Sequence, residues 1–171
     1  MRTIILIVAL VLAFSCKNAT QSPSKEVEEQ VTTEPEIHSH ARLEFEDDMT
    51  EMIFQHYLHI KTALVNSDVE EAQFGASMLK KNTNDEKLKQ TVSKITNAND
   101  IEAQRTAFSE VTVLVEELVK KSLSSGEVYK QFCPMAFNNE GGYWLSPDKI
   151  IRNPYFGDKM LKCGQISETI Q

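Results

Sequence analysis

The chain has 171 residues, 41% of them hydrophobic, with 25 Asp plus Glu against 18 Lys plus Arg and a formal net charge of −7. That length supports one modest domain with a real core. The acidic balance, with no basic stripe anywhere, excludes a nucleic-acid partner, because phosphate binding needs clustered Lys and Arg to release counterions.

Arg2 precedes the apolar run Ile4 to Ala13, which is followed by Phe14-Ser15-Cys16-Lys17. A basic start, an apolar stretch too short to span a bilayer with its own flanks, and a small residue before a cysteine predict a bacterial export signal rather than a membrane span. The Leu12-Ala13-Phe14-Ser15-Cys16 ending resembles a lipobox, with Phe14 a loose fit, so residues 1–16 are expected to form a lipoprotein signal with Cys16 as the lipidated residue. An ordinary cleaved signal is the alternative. Residues 17–42 are rich in Ser, Thr, Glu, Gln and Pro and have almost nothing apolar to bury, so they are expected to be a disordered tether. Its end carries His38 and His40, a spacing that can capture a metal ion but is more often simply solvated. With residues 1–15 removed, the charge becomes 17 − 25 = −8. Membrane attachment must then come from the lipid, not from a basic face.

Residues 43–171 are predicted to be one mainly α domain. Phe45, Met49, Met52/Ile53, His56, Ile60 and Ala63/Leu64 recur at helical spacing and mark one face of a long helix that ends at Asn66-Ser67. Ser67 with Glu70, Thr83 with Glu86, and Asn99 with Glu102 read as capping boxes that open three further helices. Their inner stripes are Val69, Ala72, Ala76 and Leu79; then Leu88, Val92 and Ile95; then Ile101, Phe108, Val111, Val115, Leu118 and Ser122. Short connections make successive helices antiparallel neighbours, which predicts an up-and-down four-helix bundle stopped at Ser124-Ser125-Gly126.

Beyond Gly126 the helical period is lost, and a small irregular hairpin is expected: Val128 to Phe137 extended, Asn138 to Gly142 turning, Tyr143-Trp144-Leu145 returning. Pro134 would confine the first of these strands to an edge. Ser146-Pro147 reads as the start of a short turn of helix that stops before Asn153-Pro154.

This tail holds Cys133, Met135, Met160 and Cys163, two thiols and two thioethers that together form a soft-metal donor set suited to Cu(I) or Ag(I). In extended chain Cys133 and Met135 would project to one side, and in a helical turn Met160 and Cys163 would do likewise. The same two cysteines could equally form a disulfide, worth about 3 kcal/mol, which needs no metal. Only the two thioethers tilt the reading toward an ion, since a disulfide has no use for them. Zinc is a further alternative, through two thiolates plus His56 or His59, although His56 falls on the predicted apolar stripe and suits a core position. Trp144, Tyr155 and Phe156 are expected to wall off the sulfurs. No hydrolase elbow, phosphate loop, H-E-x-x-H or C-x-x-C is present, and all 4 His lie in the N-terminal half, so no enzyme is expected.

Phe54 to Asp68, Asp100 to Glu110, Cys133-Pro134-Met135-Ala136, Trp144-Leu145-Ser146, Asn153-Pro154-Tyr155-Phe156-Gly157, Met160 and Cys163-Gly164 resemble an uncharacterised bacterial domain over roughly residues 53–168. That domain occurs in stand-alone lipoproteins and appended to periplasmic adaptor subunits of heavy-metal efflux pumps. The resemblance implies a role in copper or silver handling in the cell envelope, facing the periplasm or the cell surface, with Cys133, Met135, Met160 and Cys163 as ligands. An efflux adaptor or another periplasmic protein would be the partner. No adaptor domain accompanies it here.

Overall fold

Each of the four long helices starts at an aspartate. A computed structural model describes residues 42–171; the expected signal, Cys16, His38, His40 and all but the last residue of the expected tether lie outside them. The helices are α1 (Asp48–Val65), α2 (Val69–Lys81), α3 (Glu86–Asn97) and α4 (Ile101–Ser122). Asp47, Asp68, Asp85 and Asp100 accept hydrogen bonds from the backbone N–H groups of Thr50, Glu71, Leu88 and Ala103 at 2.7–2.9 Å. Each cap satisfies one orphan donor and sets a carboxylate against the positive end of the helix dipole, worth about 1 kcal/mol.

The caps predicted at Ser67, Thr83 and Asn99 are therefore one or two residues early. Ser67 has a positive φ of 57° and belongs to the turn that leaves α1, while Thr83 Oγ1 accepts from the Asp85 N–H. A carboxylate one or two residues on is the stronger acceptor and takes the cap.

Consecutive helices pack on one another and α4 returns to α1, closing the expected four-helix bundle. Its core holds Ile53, Phe54, Tyr57, Ile60 and Leu64 of α1; Ala72, Ala76 and Leu79; Leu88, Val92 and Ile95; and Phe108, Val111, Val115 and Val119. In α1 the buried face is turned about one residue from the predicted stripe. Phe54 and Tyr57 go inside while Met49 and Met52 stay outside, because the rings carry more apolar area to hide.

The tail forms more sheet than its sequence announces. The two-residue strand β1 (Glu44–Phe45) pairs antiparallel with β2 (Leu123–Ser125), joining the two ends of the bundle. A second sheet has the order β4-β3-β5, from β3 (Val128–Cys133), β4 (Gly142–Ser146) and β5 (Gln165–Ile170), all antiparallel. The hairpin of β3 with β4 is the predicted one. β5 was not foreseen, since Gln165 to Thr169 are exposed and leave little apolar pattern to read. Its arrival makes β3 the central strand rather than an edge. Pro134 tolerates this because it lies just past Cys133, the last residue of the ladder, where no N–H is required. Ser146 closes β4, and Pro147 to Lys149 are bends, so the predicted short helix does not form.

A run of aromatic rings leads from the bundle into the tail. Phe54 stacks near Tyr57, Tyr57 lies 4.8 Å from Phe108, and Tyr155 contacts Phe108, Phe137 and Trp144 at 4.8–6.2 Å between centroids. The Tyr57 hydroxyl meets Thr112 Oγ1 at 3.0 Å and accepts from the Leu145 N–H at 2.9 Å, so α1, α4 and β4 share one buried polar bridge. No helix among the described residues is long and apolar enough to cross a membrane.

Candidate functional site

Cys133 ends β3 and is fully buried in the core, where the strand register fixes its direction. Cys163 comes from the opposite side, on the loop that runs from β4 to β5. The Sγ atoms of these two free cysteines lie 3.1 Å apart. Thirty positions separate them in sequence, so their meeting is a product of the tertiary fold.

Asn153 holds that loop in shape. It is completely buried; its Oδ1 accepts from the Tyr155 N–H and its Nδ2 donates to the Cys163 carbonyl, both at 2.8 Å, while its backbone N–H donates to the Leu161 carbonyl. One side chain thus ties the beginning of the loop to the residue that carries the thiol. A turn completes the support, with the Cys163 N–H donating to the Met160 carbonyl at 3.0 Å.

The Cys163 thiol is pushed above its ordinary value by its hydrogen bond to Cys133, by burial and by the negative charge that Cys133 would carry. Two sulfurs this close share protons more readily than they both ionise. Loading a metal ion would have to displace those protons, which makes affinity rise with pH.

The thioethers are placed differently from the sequence expectation. β3 stops at Cys133, and Met135 sits in a turn with αR-type backbone, 47% exposed. Met160 follows the single turn of 3-10 helix at Gly157–Lys159, with φ −149° and ψ 49°. Extended geometry does not align Met135 with Cys133, nor does a helical turn align Met160 with Cys163. Instead the pairing is by type: cysteine meets cysteine, and Met135 and Met160 line one cleft of about 460 Å³ together with Phe137, Tyr155, Phe156 and Glu102.

Of the three rings expected around the sulfurs, Tyr155 and Phe156 line the methionine cleft and Trp144 packs beside the chain at Cys163. A Cβ placed on Gly164 would come within 2.8 Å of the Trp144 ring, so the residue after Cys163 rests directly on that indole. Trp144 Nε1 donates to Gln131 Oε1 at 2.6 Å, and Gln131 Nε2 donates to the Asp148 carbonyl at 3.0 Å.

A supporting residue missed in the sequence is Arg105 of α4. Its Nε donates to the Pro154 carbonyl at 2.9 Å, its Nη2 to Ser67 Oγ at 3.0 Å and the Leu64 carbonyl at 3.2 Å, and its Nη1 to Glu102 at 2.6 Å. Arg105 stands four residues after Ile101 and three before Phe108, on the inner stripe, and an arginine at such a position is the signal that could have found it. Gly157 is required beside it. Its φ is +56°, and a Cβ there would lie 2.9 Å from Arg105 Nη2 and from the Val65 carbonyl.

The histidines have other partners. His56 Nε2 pairs with Asn82 Nδ2 at 3.1 Å, and His59 Nε2 pairs with Glu71 Oε1 at 2.5 Å. Burial, then the neighbouring His59, holds His56 below the usual histidine range. Among the described residues, no group of three or more His, Cys, Asp and Glu is placed to hold a metal ion. Among the described residues, neither His56 nor His59 is grouped with the thiol pair.

The fold and this site define a mainly α domain, a four-helix bundle, whose strand-rich tail presents a supported thiol pair. Residues 53–126 match the model of a family described as a protein of unknown function (DUF3347). That match covers most of the bundle and ends at Gly126, before either cysteine of the pair. No curated protein and no solved structure matches the chain.

Proposed function

We propose that the domain binds one soft monovalent ion, Cu(I) or Ag(I), through Cys133 and Cys163, as a non-catalytic lipoprotein of the bacterial envelope anchored at Cys16. The observation that supports this reading is the 3.1 Å approach of the two thiol sulfurs, which would have to open only slightly to flank one ion. Thiolates are the donors such ions prefer. Met135 and Met160 supply thioethers on the adjoining cleft and serve as entry ligands, where an exposed sulfur can meet an ion before the buried pair takes it. A buffering role, or transfer to a heavy-metal efflux adaptor, follows from the resemblance of the tail.

The test is an anaerobic Cu(I) titration of the reduced, unlipidated protein against a chromophoric chelator, with Cys163→Ala alongside. One ion bound tightly by the parent and lost in the variant is expected, with protons released on loading. Equal, weak competition by both proteins would remove the metal reading. A second reading is favoured by the same distance: oxidation would need the sulfurs to close by only about 1 Å to the bond length of about 2.05 Å. Under that reading the isolated protein carries no titratable thiol at this pair until it is reduced.

A further inference from the structure

Lys61 is a cation in the wrong place. It lies on α1 with 7% of its surface exposed, on the tail-facing side of the bundle, and its ammonium has one hydrogen-bond partner, Ser146 Oγ at 3.1 Å. An ammonium has three N–H donors, and leaving them unmatched away from water is costly. No carboxylate lies within ion-pair distance of it among the described residues.

Lys61 borders a cleft of about 370 Å³ between α1 and the Pro147–Arg152 loop. Arg152 is exposed on the rim of that cleft and makes no ion pair among the described residues. The one acid there, Asp148, turns its Oδ1 to the Ile150 N–H of its own loop at 2.9 Å. Two cations and one carboxylate leave the cleft with a net positive charge on an otherwise acidic chain. Leu58, Val65 and Pro147 give it an apolar wall.

We propose that this cleft is a binding site for a small organic carboxylate, whose oxygens pair with Lys61 and Arg152 and whose apolar end rests on Leu58, Val65 and Pro147. The proposal is independent of the sulfur pair. It accounts for a lysine that the fold buries with no carboxylate in ion-pair distance and for an arginine on the rim of the same space. Burial pulls the Lys61 amine from 10.5 down to about 8, with Asp148 opposing and Arg152 adding to the fall. A bound carboxylate would restore the charge and move that titration upward.

The Lys61 Cε resonance in the full chain reads this directly, with sodium butyrate as probe and butyramide as its neutral counterpart. Butyrate should give a saturable shift and raise the Lys61 midpoint, butyramide should give neither, and Arg152→Ala should weaken butyrate binding about tenfold by removing one charged donor. Arg152 is exposed, so the variant keeps the fold. No saturable response to butyrate, an equal response to butyramide, or an unchanged affinity in Arg152→Ala would each overturn the site and leave Lys61 as a structural residue.

Discussion

Replacing Arg105 with Met should lower folding stability by about 1–3 kcal/mol, seen as a fall in the urea midpoint at unchanged slope. The methionine fills much of the volume, so the loss is polar rather than a cavity. Arg105 is 2% exposed and ties α4 to two other segments: the end of α1, through the Leu64 carbonyl and Ser67 Oγ, and the tail, through the Pro154 carbonyl. The Leu64 carbonyl keeps the Ser67 N–H as a partner and the exposed Ser67 hydroxyl can return to water, so the cost falls mainly on the buried Pro154 carbonyl. Each buried acceptor left unmade costs about 1–3 kcal/mol. The Glu102 partner is largely exposed and returns to water at little expense. Arg105→Lys should recover only a small part, since an ammonium cannot reproduce the fork that reaches both segments at once. A midpoint shift worth less than about 0.5 kcal/mol, the size of an ordinary surface substitution, would show that these bonds do not hold the tail.

Asn153→Ala should have a similar effect on stability, about 2–4 kcal/mol, and a more specific one on the thiols. The side chain makes two 2.8 Å bonds from a fully buried position, and one of them ends on the carbonyl of Cys163. Without it the loop keeps the Cys163-to-Met160 turn and the Asn153-to-Leu161 backbone bond, and loses the side-chain bonds to the Tyr155 N–H and the Cys163 carbonyl. Cys163, already half-buried rather than enclosed, should react with iodoacetamide several-fold faster, about the change expected when one local opening becomes easier by roughly 1 kcal/mol. Asn153→Asp separates the two bonds. The aspartate still accepts from the Tyr155 N–H but sets an acceptor against the Cys163 carbonyl, so the alkylation rate should rise with it too. Parent-like alkylation in both variants would mean that Asn153 does not position the thiol.

The bundle was legible because its signals are local. Period, caps and short turns all lie within a few residues of each other, and the errors were of the same small scale: caps displaced from Ser67, Thr83 and Asn99 to the next strong acceptor, and a stripe in α1 displaced toward Phe54 and Tyr57. The tail was half legible. Its hairpin follows from β-prone residues around a Gly-Gly turn, whereas β5 is almost wholly exposed and is recognisable only once β3 is there to pair with it. The four sulfurs were named from their chemistry, but their grouping was not, because i to i+2 and i to i+3 rules apply only inside regular elements. Met135 and Met160 sit in irregular turns, and the thiols meet across thirty residues. Arg105, Asn153 and Lys61 were passed over for a common reason: each is a polar residue whose purpose lies in a partner 38 or more positions distant, or in a loop whose shape cannot be read from spacing.

The distances along the chain between bonded groups also order the protein's assembly. Three of the bundle's helix pairs join neighbours in sequence, whereas Tyr57 reaches Leu145 across 88 residues and Lys61 reaches Ser146 across 85. Contacts that close long segments come later, because the entropy of closure must be met before they stabilise anything. We expect the bundle to form first and the tail to dock on it last, so that a newly made chain passes through a stage with a finished bundle and an undocked tail whose thiols are still accessible. In refolding, far-ultraviolet circular dichroism should recover before Cys163 becomes protected from alkylation; simultaneous recovery would remove that ordering. A chain of this kind is open to an ion or to an oxidant at the same late moment, and whichever arrives first decides which state the pair takes.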